Sequence, residues 1–280
     1  MMRDGNAQGS AVGTDRLLER PLAPRSLVAS LLLRTRPPRM RGSRLVQWCE
    51  LFGVTEGTTR VALSRMVERG ELLVRDGVYE LAGRVGTRRG AQDWSLDPKL
   101  GRWRGSWRTA VVPAGPRDAT RRAALRDAMR RLRYAALREG VWTRPDNLPR
   151  ASAPAEWWAA VDAQCDWWTA RPDADAVALA GELFEHAPWA ARAGALTVQL
   201  EDVTRALSAT APAEGALAEG FVAGAASVAH IRADPLLPPE LADARPGDAL
   251  RRAYRAYEAA FSARLREWFL SLEPERAGPR

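Results

Sequence analysis

The sequence predicts an α+β protein in three parts: a helical amino-terminal region closed by a hairpin, a small mixed middle, and an all-helical tail. Three observations carry this. Apolar residues recur at helical spacing in short runs ahead of Gly70, after which ELLVRDGVYELA alternates around Arg75-Asp76-Gly77, a tight-turn signature. Through the middle of the chain, short apolar strand-like runs bracket a helical one. In the tail only helical spacing recurs.

In chain order, residues 24–35 (PRSLVASLLLRT) place Leu27, Val28, Leu31 and Leu32 on one side of a helix, with Pro24 in its first turn. RPPRMRG then breaks the pattern. Ser43 is placed to cap a second helix that turns Leu45, Val46, Cys49 and Phe52 inward, and Gly53 ends it. Thr55 is placed to cap a third helix, from Glu56 to Arg69, stopped at Gly70. Two short strands follow. Helix, helix, tight turn, helix and hairpin make the winged helix-turn-helix pattern, expected over residues 21–86. In that arrangement the third helix enters the DNA major groove and the wing touches the backbone.

Residues 87–106, rich in Arg, Gly and Trp, read as a linker. A strand over 107–113, a helix over 115–137 with Leu125, Met129 and Leu132 on one stripe, and strands at 140–145 and near 163–169 follow. With a helix near 175–186 they suggest an α+β unit of split βαβ type over 107–190. Helices near 194–208, 214–230 and 248–270 fill the last unit, 191–280. There Leu250, Tyr254, Tyr257, Phe261, Leu265 and Trp268 form a stripe suited to a domain core or a dimer interface. Residues 1–20 are polar, lack the apolar stretch of a secretion signal, and read as a disordered arm. No apolar run is long enough to span a membrane, and a cytoplasmic protein is expected.

The formal charge is +8, nearly all of its positive part arginine. Arginine and alanine abound together, as in chains from GC-rich genes, so the total says little. The distribution says more: residues 1–90 carry 16 Arg against 9 acids, residues 91–149 carry 13 Lys and Arg against 6, and residues 150–280 carry 13 Arg against 19. A basic first half points to an anionic partner for that half.

On the third helix, Thr59, Ala62, Leu63, Met66 and Val67 gather inward, while Thr58, Arg60, Val61, Ser64 and Arg65 face out. Arginine reaches guanine edges or phosphate, hydroxyls bond phosphates or bases, and valine meets a thymine methyl. Gly57 near the helix start lets backbone approach the duplex, the helix N-terminus itself favours a phosphate, Arg44 and Arg75 are the expected backbone contacts, and Ser43 and Thr55 are counted with the DNA-binding residues.

Several stretches in order resemble the PaaX family of bacterial transcriptional regulators: RSLVASLLL with LVQWCELFGVTEGTTRVALSRMVERGEL, WRGSWRTAVV with LREGVWTRPDNL, and ADPLLPPEL with PGDALRRAY. The resemblance implies a winged helix, a central ferredoxin-like domain and a carboxy-terminal helical domain. It also implies a dimeric repressor of operator DNA, released by an effector such as phenylacetyl-CoA.

For the effector, Trp103-Arg104 and Trp107-Arg108 pair flat rings with guanidinium groups, as an aromatic acyl-CoA would need. The same pairs would suit a linker lying on DNA or packing two domains. His230, just ahead of IRADPLLPP, is a further effector candidate or else an ordinary helix-end histidine. In each of the pairs Trp157–Trp158 and Trp167–Trp168, one ring is expected in the core.

An alternative is a metal-dependent nuclease built on the central unit, and another is a winged-helix adaptor that binds only protein. Nucleases of this domain type place an acid at the end of the first strand, where this chain has Pro113 and Ala114; Asp118 instead suits a helix cap. Cys49, Cys165, His186 and His230 show no metal-ligand spacing, and no nucleophile elbow, phosphate loop or dinucleotide fingerprint occurs, so no enzyme, cofactor or metal is expected.

Overall fold

The computed structural model describes residues 23–35, 37–82, 85–210 and 215–272; the arm expected over 1–20 lies outside them. The order begins α1 (Pro24–Arg34), β1 (Arg39–Arg41), α2 (Gly42–Glu50), α3 (Glu56–Glu68), β2 (Leu72–Arg75) and β3 (Val78–Leu81). Helix α1 buries the four expected residues, Leu27, Val28, Leu31 and Leu32. The segment expected only to break the pattern contributes β1, which pairs with β3 through Met40 and Tyr79, so the hairpin becomes a sheet of order β1-β3-β2. Prolines 37 and 38 exclude a helix but not an extended chain, and the next residues are free to pair.

Ser43 does not cap α2. The cap position is Arg41, without a side-chain bond, and the first amide of the helix, Gly42, donates instead to Gly77 O at the hairpin turn (2.9 Å). The turn works from outside as the cap would from within. Thr55 does cap α3: its Oγ1 accepts from Thr58 N at 3.3 Å. Asp76 and Gly77 both have positive φ, 49° and 72°, the twist that suits a two-residue hairpin.

The expected linker is a correction. Helix α4 spans Val85–Leu96 and buries Ala91, Trp94 and Ser95; only the stretch after it is extended. The central elements are β4 (Trp107–Val111), α5 (Ala119–Arg131), β5 (Ala135–Arg138), β6 (Val141–Pro145), α6 (Ala155–Asp162) and β7 (Asp166–Ala170). All pairs are antiparallel and the sheet order is β5-β6-β4-β7. The helix expected over 115–137 therefore ends early. Arg133 takes φ 62°, with Arg133 N bonded to Arg130 O and Tyr134 N to Met129 O, which turns the chain into β5.

Successive strand residues face opposite sides. Ala110 meets α5 and α6 with Leu125, Met129 and Val161, while Trp107 meets Ala180, Leu237 and Leu241 on the other side. Both Trp157 and Trp158 are core, where one was expected; of the second pair Trp168 is exposed.

Helices α7 (Ala176–Phe184), α8 (His186–Leu207), α9 (Ala216–Ile231) and α10 (Arg245–Ser271) follow among the described residues. Gly224 lets α9 meet α10 closely: a Cβ there would lie 2.2 Å from Tyr257 Oη. The apolar stripe of α10 is core, and that core continues into α1–α3. Trp48 packs edge-on to Phe221 and Phe261 at centroid distances of 5.3 and 6.4 Å. Beside them Arg34 bonds Glu258 (2.6 Å) and lies 4.9 Å over the Phe261 ring. The amino-terminal unit is thus seated on the tail helices by an aromatic cluster and a cation–π contact.

Candidate nucleic-acid interface

Helix α3 buries Thr59, Leu63 and Met66 and half-buries Ala62 and Val67, so its inner face is as expected. Thr55, Thr58, Arg60, Val61, Ser64 and Arg65 are exposed, Val61 by 52%. Gly57, Thr58, Val61 and Arg65 border an open groove of about 490 Å³ against Pro24 and Arg25 at the start of α1. Arg69 also borders it, and Arg25 ion-pairs with Glu71 at 2.6 Å. Sequence reasoning missed both arginines. Arg25 reaches the groove only through the docking of α1, and Arg69 reads as the end of a helix rather than as part of a face.

The face is held ready by local bonds. Thr55 Oγ1 and Thr58 Oγ1 lie 2.9 Å apart, Ser64 Oγ donates to Glu68 at 3.3 Å, and Arg60 is held by Glu56, one turn earlier, at 2.6 Å. An exposed pair of that kind contributes roughly 0.3–0.5 kcal/mol, so a phosphate or guanine can displace Glu56 readily. Arg75 is exposed beside the hairpin turn. Ser43 and Arg44 are half-buried, and Ser43 Oγ and Arg44 Nη1 have no hydrogen-bond partner among the described residues.

Of the expected effector residues, Trp103 and Trp107 pack into one small apolar cluster with Ala180, Leu237 and Leu241. Trp107 is buried and lies 6.5 Å from the Phe184 ring in a stacked pose. Trp103 Nε1 donates to Ser106 O (2.6 Å), Arg104 is exposed with its carbonyl accepting from Arg171, and Arg108 lies 5.4 Å from the Trp167 ring. His230 packs instead on α8. Its ring stacks on Trp189 at 4.9 Å, Nε2 donates to Trp189 O (2.9 Å), and Trp189 Nε1 donates to His230 O (3.1 Å). Burial lowers the His230 pKa, against the raising effect of the bond to Trp189 O.

Three arginines are interior among the described residues. Arg144, 1% exposed, donates to Leu132 O (2.7 Å), Pro145 O, Leu236 O and Asn147 Oδ1 (2.8 Å). Arg133 donates to Ser95 Oγ and to Arg130 O and Arg131 O at the end of α5. Arg251 joins Asp234 at 2.7 Å and donates to Ser95 O at 3.0 Å. Burial pushes Arg133 down to about 9 and Arg144 down to about 10. At neutral pH both remain cations, and backbone carbonyls rather than carboxylates solvate them.

No three of His, Cys, Asp and Glu gather as a metal site among the described residues, and Asp118 caps α5 through Arg121 N (2.7 Å). No helix among the described residues is long and apolar enough to cross a membrane.

Residues 23–85, which hold α1 through β3, match the model of a family described as PaaX-like protein. A solved structure, the uncharacterised protein Rv0674 from Mycobacterium tuberculosis, is 36% identical; the match covers 88% of this chain and 98% of that one, with a TM-score of 0.65. No curated protein matches. The family whose model matches this amino-terminal unit is one of transcriptional regulators. That match places residues 23–85 in the PaaX-like family.

Proposed function

We propose that the protein is a cytoplasmic, dimeric transcriptional repressor that reads operator DNA with α3 and is released by an aromatic acyl-CoA or a related metabolite. The observation that carries the DNA part is the exposed face Thr58, Val61, Ser64 and Arg65, with Arg60 at its flank, on a helix seated between α1 and a hairpin bearing Arg75. Helices α1–α3 with the β1-β3-β2 sheet support a winged helix-turn-helix reading. The order βαββαβ, with its sheet order β5-β6-β4-β7, supports a ferredoxin-like reading of the centre, and α8–α10 support a helical carboxy-terminal domain. A symmetric dimer would present two copies of α3 to a palindromic site.

The family and the basic first half favour duplex DNA over a protein partner. The test is a gel shift on the protein's own promoter region at several salt concentrations. Binding that falls steeply with salt is expected from phosphate contacts. Binding that ignores salt, or no preference for the promoter, contradicts the reading.

A further inference from the structure

A cleft of about 420 Å³ lies among the end of α4, the segment after it, the start of α8, the chain after Asp234 and the first turns of α10. It contains none of the effector candidates that the sequence suggests. Leu96, Pro98, Leu236 and the Trp189 ring give it apolar walls, and Arg251, Arg252 and Arg255 border it from α10. Its size falls within the ordinary range of small-molecule sites.

The charges are not all paired. Of the bordering carboxylates, Asp97 is held by Lys99 at 2.6 Å and Asp234 by Arg251 at 2.7 Å, which leaves Asp248 in the first turn of α10. Arg252 is exposed and has no ion pair among the described residues. Arg251 is 6% exposed, and its Nη2 has no hydrogen-bond partner among the described residues, an expensive state for a buried guanidinium. The ion pair beneath is tightly built: a Cβ on Gly247 would lie 2.8 Å from Asp234 Oδ2 and 2.9 Å from Arg251 Nη1.

Two of these arginines also hold α4. Arg251 Nε donates to Ser95 O (3.0 Å) and Arg255 Nη1 to Leu96 O (3.1 Å), the last carbonyls of the helix. Three residues separate α4 from β3 of the hairpin. Helix α10 runs on to Glu258 and Phe261, the contacts of Arg34.

We propose that this cleft binds an organic anion, a carboxylate or phosphate carried by a flat apolar group. The anion is taken by Arg251, Arg252 and Arg255, and the ring lies against Trp189. Occupancy draws Arg255 from Leu96 O, loosens the end of α4 and lowers DNA affinity. That last step rests on the DNA-binding reading above; the binding step does not.

Saturation-transfer NMR on the full chain without DNA tests the site, with benzoate and phenyl phosphate at millimolar concentration as probes and inorganic phosphate as competitor. Signal from either probe, with roughly tenfold weaker binding in Arg252→Gln, is expected from the loss of one charged hydrogen bond. A preference for benzoate over phenyl phosphate, or the reverse, names the anion. No signal from either probe, or equal signal in Arg252→Gln, overturns the site. Arg252 has no internal partner among the described residues, so its variant should unfold at the wild-type temperature.

Gel shifts with and without the same probes test the coupling. Weaker operator binding with probe supports it, as does weaker probe-free binding by Arg255→Gln. Probe binding with unchanged DNA affinity overturns it. A chain that binds probe but no DNA at all would sink the regulator reading and leave the ligand site standing.

Discussion

The arginines of α3 and those of the interior are chemically identical and stand in opposite surroundings. Arg60 and Arg65 stand in solvent, and the internal partner of Arg60 is a carboxylate on its own helix. Arg144 and Arg251 stand in the interior, bonded to Leu132, Leu236 and Ser95, which come from other elements of the fold. The first pair can leave its surroundings at almost no cost. The second cannot, because Leu132 O and Ser95 O would each lose a charged donor in the interior. In a chain this rich in arginine, what each guanidinium touches separates a face free to take a partner from a structural joint.

The contrast breaks first at Arg144. Arg144→Ala strips donors from Leu132 O, Leu236 O and Asn147, and should cost about 3 kcal/mol or more of stability, read by urea unfolding. A midpoint within error of wild type would show that the interior arginines are not a joint. Gly224→Ala pushes a methyl into Tyr257, and overpacking of this kind costs about 1–3 kcal/mol. A thermal melt checks it, and a silent substitution would mean that α9 and α10 have room to part.

On the other side of the comparison, Thr55→Ala removes the cap of α3 and should cost about 1 kcal/mol, in the same unfolding assay. The smallest effect belongs to Arg75→Ala. It should leave stability within about 0.5 kcal/mol of wild type. It should also flatten the salt dependence of DNA binding by about one phosphate, evenly across DNA sequences. An effect confined to one DNA sequence would place Arg75 on a base edge instead.

How much of the molecule is legible in its sequence follows the range of the interactions. Helix α3 is legible from cap to stop because its signals are local: Thr55 at one end, and at the other Gly70, whose φ of 67° suits glycine. Helix α5 ends on the same bonded turn with arginine in the glycine's place, at φ 62°, so nothing marks the start of β5. Helix α4 is hidden by glycine and arginine around Ala91 and Trp94, whose burial depends on partners elsewhere in the fold. The outward residues of α3 are legible for the same local reason as its ends. Arg25 and the cleft on α10 are not, since docking alone brings Arg25 to Gly57 and Trp189 to Arg251.

The central claim is that the exposed face of α3 reads operator sequence and holds nothing together. Its most direct test is the double variant Arg60→Ala with Arg65→Ala, titrated against operator and random DNA beside a thermal melt. The account predicts an unchanged melting temperature. Operator affinity should fall by about 1–3 kcal/mol for each base edge no longer bonded, and approach that for random DNA. Operator binding as tight and as specific as wild type would contradict it.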